Sequence, residues 1–216
     1  MRGDTIVVEA HHRKAAEGVA RLLLPQLEAR PGRHTLSIAG ESGSGKSETA
    51  VALAEQLSGH GLTSVIFQQD DYFIHPPKSN DAERRKDIAW VGPKEVRLDL
   101  LDAHLKAFLD GAGEVEKPLV VYEDDAITSE VMALGDAHVA IAEGTYTTLL
   151  ESALTHVFID RSYRETRAHR EKRKRDAAEL DPFIDTVLEI EHGIISAHKA
   201  RAQIVIDGDY TAAAAG

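Results

Sequence analysis

The sequence predicts an α/β fold of three layers, a mostly parallel five-stranded sheet flanked by helices, with a small arginine-rich lid. Three observations predict it. Apolar runs of strand length alternate with segments whose apolar residues recur at helical spacing, the order that builds parallel sheets. Between the first such strand and helix, Gly40-Glu41-Ser42-Gly43-Ser44-Gly45-Lys46-Ser47 fits the pattern G-x-x-x-x-G-K-[ST] at every fixed position. Finally, eight basic residues against two acids lie between Arg161 and Arg175, in a chain whose formal net charge is −11.

The phosphate loop sets the domain type, that of the P-loop nucleotide-binding proteins. Thr35–Ala39 before it reads as a buried strand, and Ser47–Leu57 after it has the apolar spacing of a helix. Gly40, Gly43 and Gly45 let successive backbone N–H groups close on an anion, and the helix start adds its positive dipole end. Lys46 is the candidate point charge for the β- and γ-phosphates, and the Ser47 hydroxyl the candidate Mg²⁺ ligand. With Ser42, Ser44 and Glu48, these residues make up the expected nucleotide-binding set.

Composition bounds the remaining classes. A chain of 216 residues with 43% hydrophobic and 28% charged residues suits one α/β domain. We expect an N-terminal helical extension over 1–33 and the phosphate-loop domain over 34–216, its lid at about 161–181. The acidic balance argues against general nucleic-acid or anionic-membrane binding, so any anion site must be local. The absence of cysteine excludes disulfides, zinc–thiolate sites and thiol nucleophiles, and fits a reducing cytoplasmic setting. No apolar run reaches membrane-spanning length, and Met1–Thr5 lacks a signal-peptide core.

Along the chain, Thr5–Val8 reads as a short extended piece and Arg13–Ala29 as a helix that Pro25 kinks or ends. His11 and His12 are adjacent, point different ways on a helix and lack a third ligand, so they make a poor metal site. Leu62–Phe67 is a second buried strand, and the acids Asp70 and Asp71, with Tyr72, follow at its carboxyl end, where ligands of open α/β sheets collect. Asn80–Asp87 reads as a mobile surface excursion. Trp90 is a candidate to stack on a planar substrate, with an ordinary packing role as the favoured reading. Pro93 suits a helix start, and Leu98, Leu101, Leu105, Phe108 and Leu109 form an apolar stripe.

Lys117–Tyr122 is a further short strand leading to the acidic turn Glu123–Asp125, which faces either substrate or water. Val139–Ala142 is a buried strand that ends in Glu143, a carboxylate well placed to organise Mg²⁺ opposite the phosphate loop. His156–Asp160 and Ile204–Ile206 are the remaining strands. A long helix opens at Asp181-Pro182 and runs toward Ala202, and Thr211–Gly216 reads as a frayed tail. The basic run 161–175 reads as a lid whose arginines meet charge that develops on a phosphoryl group.

The order of these motifs resembles the uridine kinase and phosphoribulokinase family of phosphate-loop small-molecule kinases, from about Thr35 to Asp207. The resemblance implies that Asp70 takes the acceptor hydroxyl's proton and helps hold Mg²⁺, that Glu143 lies near the metal, and that Tyr122 is a substrate-side tyrosine. It places Arg170, Arg173 and Arg175 in the lid, and Asp71, Tyr72 and Trp90 on the acceptor side. Uridine kinases carry an Asn-Phe-Asp-His-Pro segment where this chain has Ala89-Trp90-Val91-Gly92-Pro93, and a histidine where Ile127 stands. Both departures fall on the acceptor side, so the resemblance implies the phosphate donor and not uridine.

The expectation is therefore an ATP- and Mg²⁺-dependent kinase acting on a hydroxyl group of a small metabolite, with no nucleic-acid or membrane partner and with a homo-oligomer left open. Rival expectations are a kinase acting on adenylylsulfate, shikimate or a nucleotide sugar, and a regulatory or assembly ATPase that signals to a protein partner.

Overall fold

A computed structural model of the chain describes residues 6–166 and 181–215. Its centre is a sheet of β1 (His34–Gly40), β2 (Ser64–Gln68), β5 (Val139–Glu143), β6 (Thr155–Ile159), β7 (Ile204–Ile206) and β8 (Ala212–Ala214). The spatial order is β2-β5-β1-β6-β7-β8. The first five strands run parallel, as the alternating pattern predicts, and β8 joins β7 antiparallel. The expected frayed tail is thus partly an edge strand. Its small side chains permit this: Ala212 is buried against Gly18 of the first helix, where an added Cβ would sit 2.9 Å from the Ala212 Cβ.

Alternate residues of each central strand feed two separate cores, which makes the domain three-layered. Leu36, Ile38, Val139, Ile141, Val157 and Ile159 pack under α1 (Ala10–Ala29) and α2 (Lys46–Gly59). Ala39, Ala140, Ala142 and Phe158 pack under α4 (Leu98–Leu109) and the end of α5 (Pro182–Ile195). Helix α1 does not stop at Pro25; it runs on to Ala29, and Val19 and Leu23 are fully buried against the sheet side of α2. Residues 6–9 lead into it without strand pairing.

Several local expectations are corrected. The charged segment after Pro76 is not a loose excursion but α3 (Pro77–Lys86), with Pro77 in its first turn and Asn80 buried. Its first backbone N–H groups are capped from a distance, since Lys78 N and Ser79 N donate to Asp125 Oδ1 and Oδ2 at 2.7 and 3.1 Å. That assigns Asp125 of the acidic turn to helix capping. Lys117–Tyr122 does not join the main sheet; β3 (Glu114–Val121) and β4 (Ala126–Ala133) form a separate antiparallel hairpin around that turn. Pro93 opens a short 3-10 turn, Pro93–Glu95, and α4 begins only at Leu98. After Ile195 the last helix tightens into a 3-10 stretch, Ser196–Arg201.

Candidate active site

The sheet's carboxyl edge brings the predicted residues together. β1 leads into the phosphate loop, and its neighbour β5 ends in Glu143, paired with Ile38 on one side and with Gln68 of β2 on the other. Two residues past Gln68 lies Asp70, exposed in a 3-10 turn, Gln69–Tyr72. The loop, Glu143 and Asp70 therefore occupy three adjacent strand tips, the position at which open α/β sheets collect their ligands.

Across the first of these gaps the Ser47 hydroxyl donates to Glu143 Oε1 at 2.9 Å. Glu143 is 5% exposed. Burial first, and the charge of Asp70 second, push its carboxyl up to about 7, with Lys46 and the Ser47 hydrogen bond acting in the opposite direction. A buried carboxylate beside a second acid and a hydroxyl is an oxygen donor set suited to a divalent cation. The loop fits an anion equally well. Gly45 has φ +93°, and an added Cβ would come within 2.9 Å of His12 Nε2. Ser44 is fully buried, and its Oγ has no hydrogen-bond partner among the described residues.

Lys46 Nζ donates to the Glu41 carbonyl at 3.0 Å, folded back along the loop. Ser42 is held through its carbonyl, which accepts from Thr166 Oγ1 at 2.8 Å. Glu48 is buried in the first turn of α2, where its charge bears on Glu143. The residue that the sequence reading missed is Glu41. Its carboxylate accepts from Tyr163 N at 2.6 Å and meets His192 Nδ1 of α5 at 2.7 Å, so the loop is tied to the stretch just after β6 and to the last helix. A variable position of the loop pattern gives no sign of such a role.

Acceptor-side expectations divide. Tyr72 is fully buried and its hydroxyl meets His104 Nδ1 at 2.8 Å, so it holds the core and does not face a substrate. Asp71 is likewise turned inward, 2% exposed, bonded to Lys117 Nζ at 2.7 Å and accepting from Val120 N at 3.0 Å. It clamps the hairpin to the tip of β2. Trp90 donates its indole N–H to Asn80 Oδ1 at 2.9 Å and keeps one part of its ring surface open to solvent. Tyr122 is half-buried in the hairpin turn. Arg170, Arg173 and Arg175 lie outside the described residues. A cavity of about 440 Å³ between α2, β2 and the hairpin is lined by Ser47, Glu143, Gln68, Asp71, Lys117 and Glu130 among others. His11 and His12 pack on Tyr210, with no metal-holding group of acids and histidines among the described residues.

A glycine cradle at a helix N-terminus with acids on the neighbouring strand tips is the arrangement of a phosphate-loop nucleotide-binding protein, and the comparisons narrow it to a kinase. The model of the Phosphoribulokinase / Uridine kinase family matches residues 35–191, and the chain belongs to that family. A uridine kinase of Ligilactobacillus salivarius is 30% identical over 79% of this chain and 83% of its own length. A bifunctional alpha-galactosidase/sucrose kinase of Mediterraneibacter gnavus is also 30% identical, over 82% of this chain but only 20% of that longer protein. Among solved structures, phosphoribulokinase from Rhodobacter spheroides shares the fold, with a TM-score of 0.62, 14% identity, and coverage of 82% of this chain and 70% of that one.

Proposed function

We propose that this chain transfers the γ-phosphoryl group of ATP, with Mg²⁺, to a hydroxyl group of a small metabolite. The observation that supports it most is the meeting of Ser47, the residue next to Lys46, with Glu143, whose carboxyl feels the charges of Asp70 and Lys46. In this reading the loop amides from Gly40 to Ser47 and the Lys46 ammonium hold the donor phosphates. Ser47 and Glu143, with Asp70, hold the metal, which when bound neutralises charge on the β- and γ-phosphate oxygens. Asp70, exposed at the mouth, orients the acceptor hydroxyl and receives its proton. Arg170, Arg173 and Arg175 are proposed to meet the charge that develops on the transferred group. A loose phosphoryl-transfer transition state asks little of its base, because it depends mainly on position and charge stabilisation.

The two curated relatives carry different acceptors in their names, uridine and sucrose, so membership of the family leaves the acceptor to be read from the site. The nucleoside-gripping segment is replaced by Ala89–Pro93, and the indole N–H there is already used by Asn80. That argues against uridine. The test is ADP release with ATP, Mg²⁺ and candidate acceptors. Acceptor-dependent turnover that is lost in Lys46→Ala and Asp70→Asn supports the assignment, and turnover unchanged in both variants refutes it.

A further inference from the structure

Gly45, the residue that turns the phosphate loop into α2, is gripped by two rings from distant parts of the chain. It sits at the N-cap of α2 with φ +93°, where a glycine has wide backbone freedom unless its neighbours confine it. An added Cβ would lie 2.9 Å from His12 Nε2 in α1 and 3.7 Å from Tyr210 Cε1, in the turn between β7 and β8. The two rings meet edge to face, centroids 5.6 Å apart, and the residues are 5% and 7% exposed. Neither lies within residues 35–191, the stretch that matches the family.

Each ring is fixed from behind. His12 Nδ1 accepts from Glu9 N at 3.1 Å in the first turn of α1, which leaves the ring proton on Nε2, 3.1 Å from His11 Nε2. His11 in turn lies on Tyr210, ring centroids 4.2 Å apart. The Arg161 guanidinium, two residues past β6, covers the Tyr210 ring at 4.8 Å and donates to its hydroxyl. Tyr210 stands at φ +58°, a left-handed conformation that is rare for a bulky side chain. Its turn is braced by Asp207 Oδ1, which accepts from Asp209 N at 3.0 Å and Thr211 N at 2.8 Å. Lys14 Nζ ties α1 to the same turn by donating to the Asp209 carbonyl at 2.9 Å. A strained residue held by so many partners is the kind of feature that collects around a working site.

Resting on the reading of Gly40–Ser47 as the donor's phosphate site, we infer that His12 and Tyr210 are positioning residues of that site. They touch no phosphate themselves. Acting through Gly45, they confine the backbone whose next two N–H groups, those of Lys46 and Ser47, serve the donor, so the loop meets its ligand already ordered. The N-terminal helix is then a working part of the donor site and not an appendage to the domain.

The experiment titrates the full chain with ATP and, separately, with inorganic tripolyphosphate, both with Mg²⁺, by calorimetry. Tripolyphosphate carries the three phosphates without base or sugar. His12→Asn withdraws the ring from Gly45 yet keeps a side-chain oxygen to accept from Glu9 N. Tyr210→Asn withdraws the other ring and places at φ +58° a residue that tolerates that conformation. Each asparagine variant should raise Kd for both ligands by about tenfold, the affinity lost when one residue's backbone must be ordered on binding. Tyr210→Phe keeps the ring and should restore binding to within about twofold. Urea unfolding without ligand identifies any variant that does not fold, and the other variant then decides. Rings that only pack α1 onto the domain would lower the urea midpoint and leave both Kd values unchanged, which overturns the inference. Loss of affinity for ATP alone overturns it as well, since the rings would then act on the base or sugar. If the native chain binds neither ligand, the reading of the loop falls, and this inference with it.

Discussion

Ser47 and Glu143 lie 96 positions apart in sequence and meet through a 2.9 Å hydrogen bond at the mouth of the phosphate loop. Sheet order makes the contact. β1 and β5 are neighbours in register, Ile38 beside Glu143, so the loop that leaves one strand opens onto the acid that ends the other. The bond supplies only part of what a buried carboxylate needs, which is why burial still raises the Glu143 pKa.

This raised pKa predicts a pH dependence. Glu143 moves from 4.5 to about 7 on folding, so the folded chain holds a proton that the unfolded chain releases. Stability without metal is therefore greatest below about pH 4.5 as far as this group is concerned, and declines by up to about 3 kcal/mol as pH rises to about 7. Thermal or urea unfolding across that window should show the decline, and Glu143→Gln should flatten it. Since a metal needs the ionised carboxylate, the stabilisation by Mg²⁺ and nucleotide should be larger at about pH 8 than at about pH 6.

Lys46→Ala removes the ammonium proposed to lie along the donor phosphates. Loss of one such preorganised charge lowers kcat by roughly 100-fold to 1,000-fold in comparable sites. Steady-state ADP release measures it, and circular dichroism should show an intact fold, because the Lys46 side chain is only half-buried.

Gly144 follows Glu143, and a Cβ there would sit 2.2 Å from the Gln69 Cβ. The Gln69 side-chain Oε1 also accepts from Tyr146 N at 2.7 Å, so the Gln69 side chain cannot retreat without breaking that bond. Gly144→Ala should cost about 1–3 kcal/mol in urea unfolding and displace Glu143 enough to weaken Mg²⁺-dependent activity.

The Lys117–Asp71 pair is almost fully buried, both side chains at 3% exposure or less. Lys117→Ala leaves Asp71 without its ammonium and should destabilise by about 3–5 kcal/mol. Replacing both partners with apolar residues of similar volume should recover much of that loss, and a double-mutant unfolding cycle reads the difference.

The parallel strands, the loop and Glu143 were legible because each carries a local signal, an apolar run or a fixed motif. What stayed hidden depends on partners far away in sequence. Asp71 and Lys117 are separated by 46 positions, and a charged residue looks solvated until its counter-ion is known. Arg84 sits in a segment of high charge density that reads as surface, yet it reaches Glu191 across 107 positions and keeps only 15% of its side chain exposed. The Ala212–Ala214 strand has no β-branched residues, so only its fit against Gly18 and β7 makes it a strand.

The most direct test of the central claim sets ATP binding against ATP turnover in Asp70→Asn. Asp70 is exposed at the mouth, so the variant should fold and bind ATP within a few-fold of the native chain at saturating Mg²⁺, while needing more Mg²⁺ because one of the three proposed metal ligands is lost. Acceptor-dependent ADP release should fall by about 100-fold or more. Native-level turnover in that variant, with the same acceptor, would contradict the account.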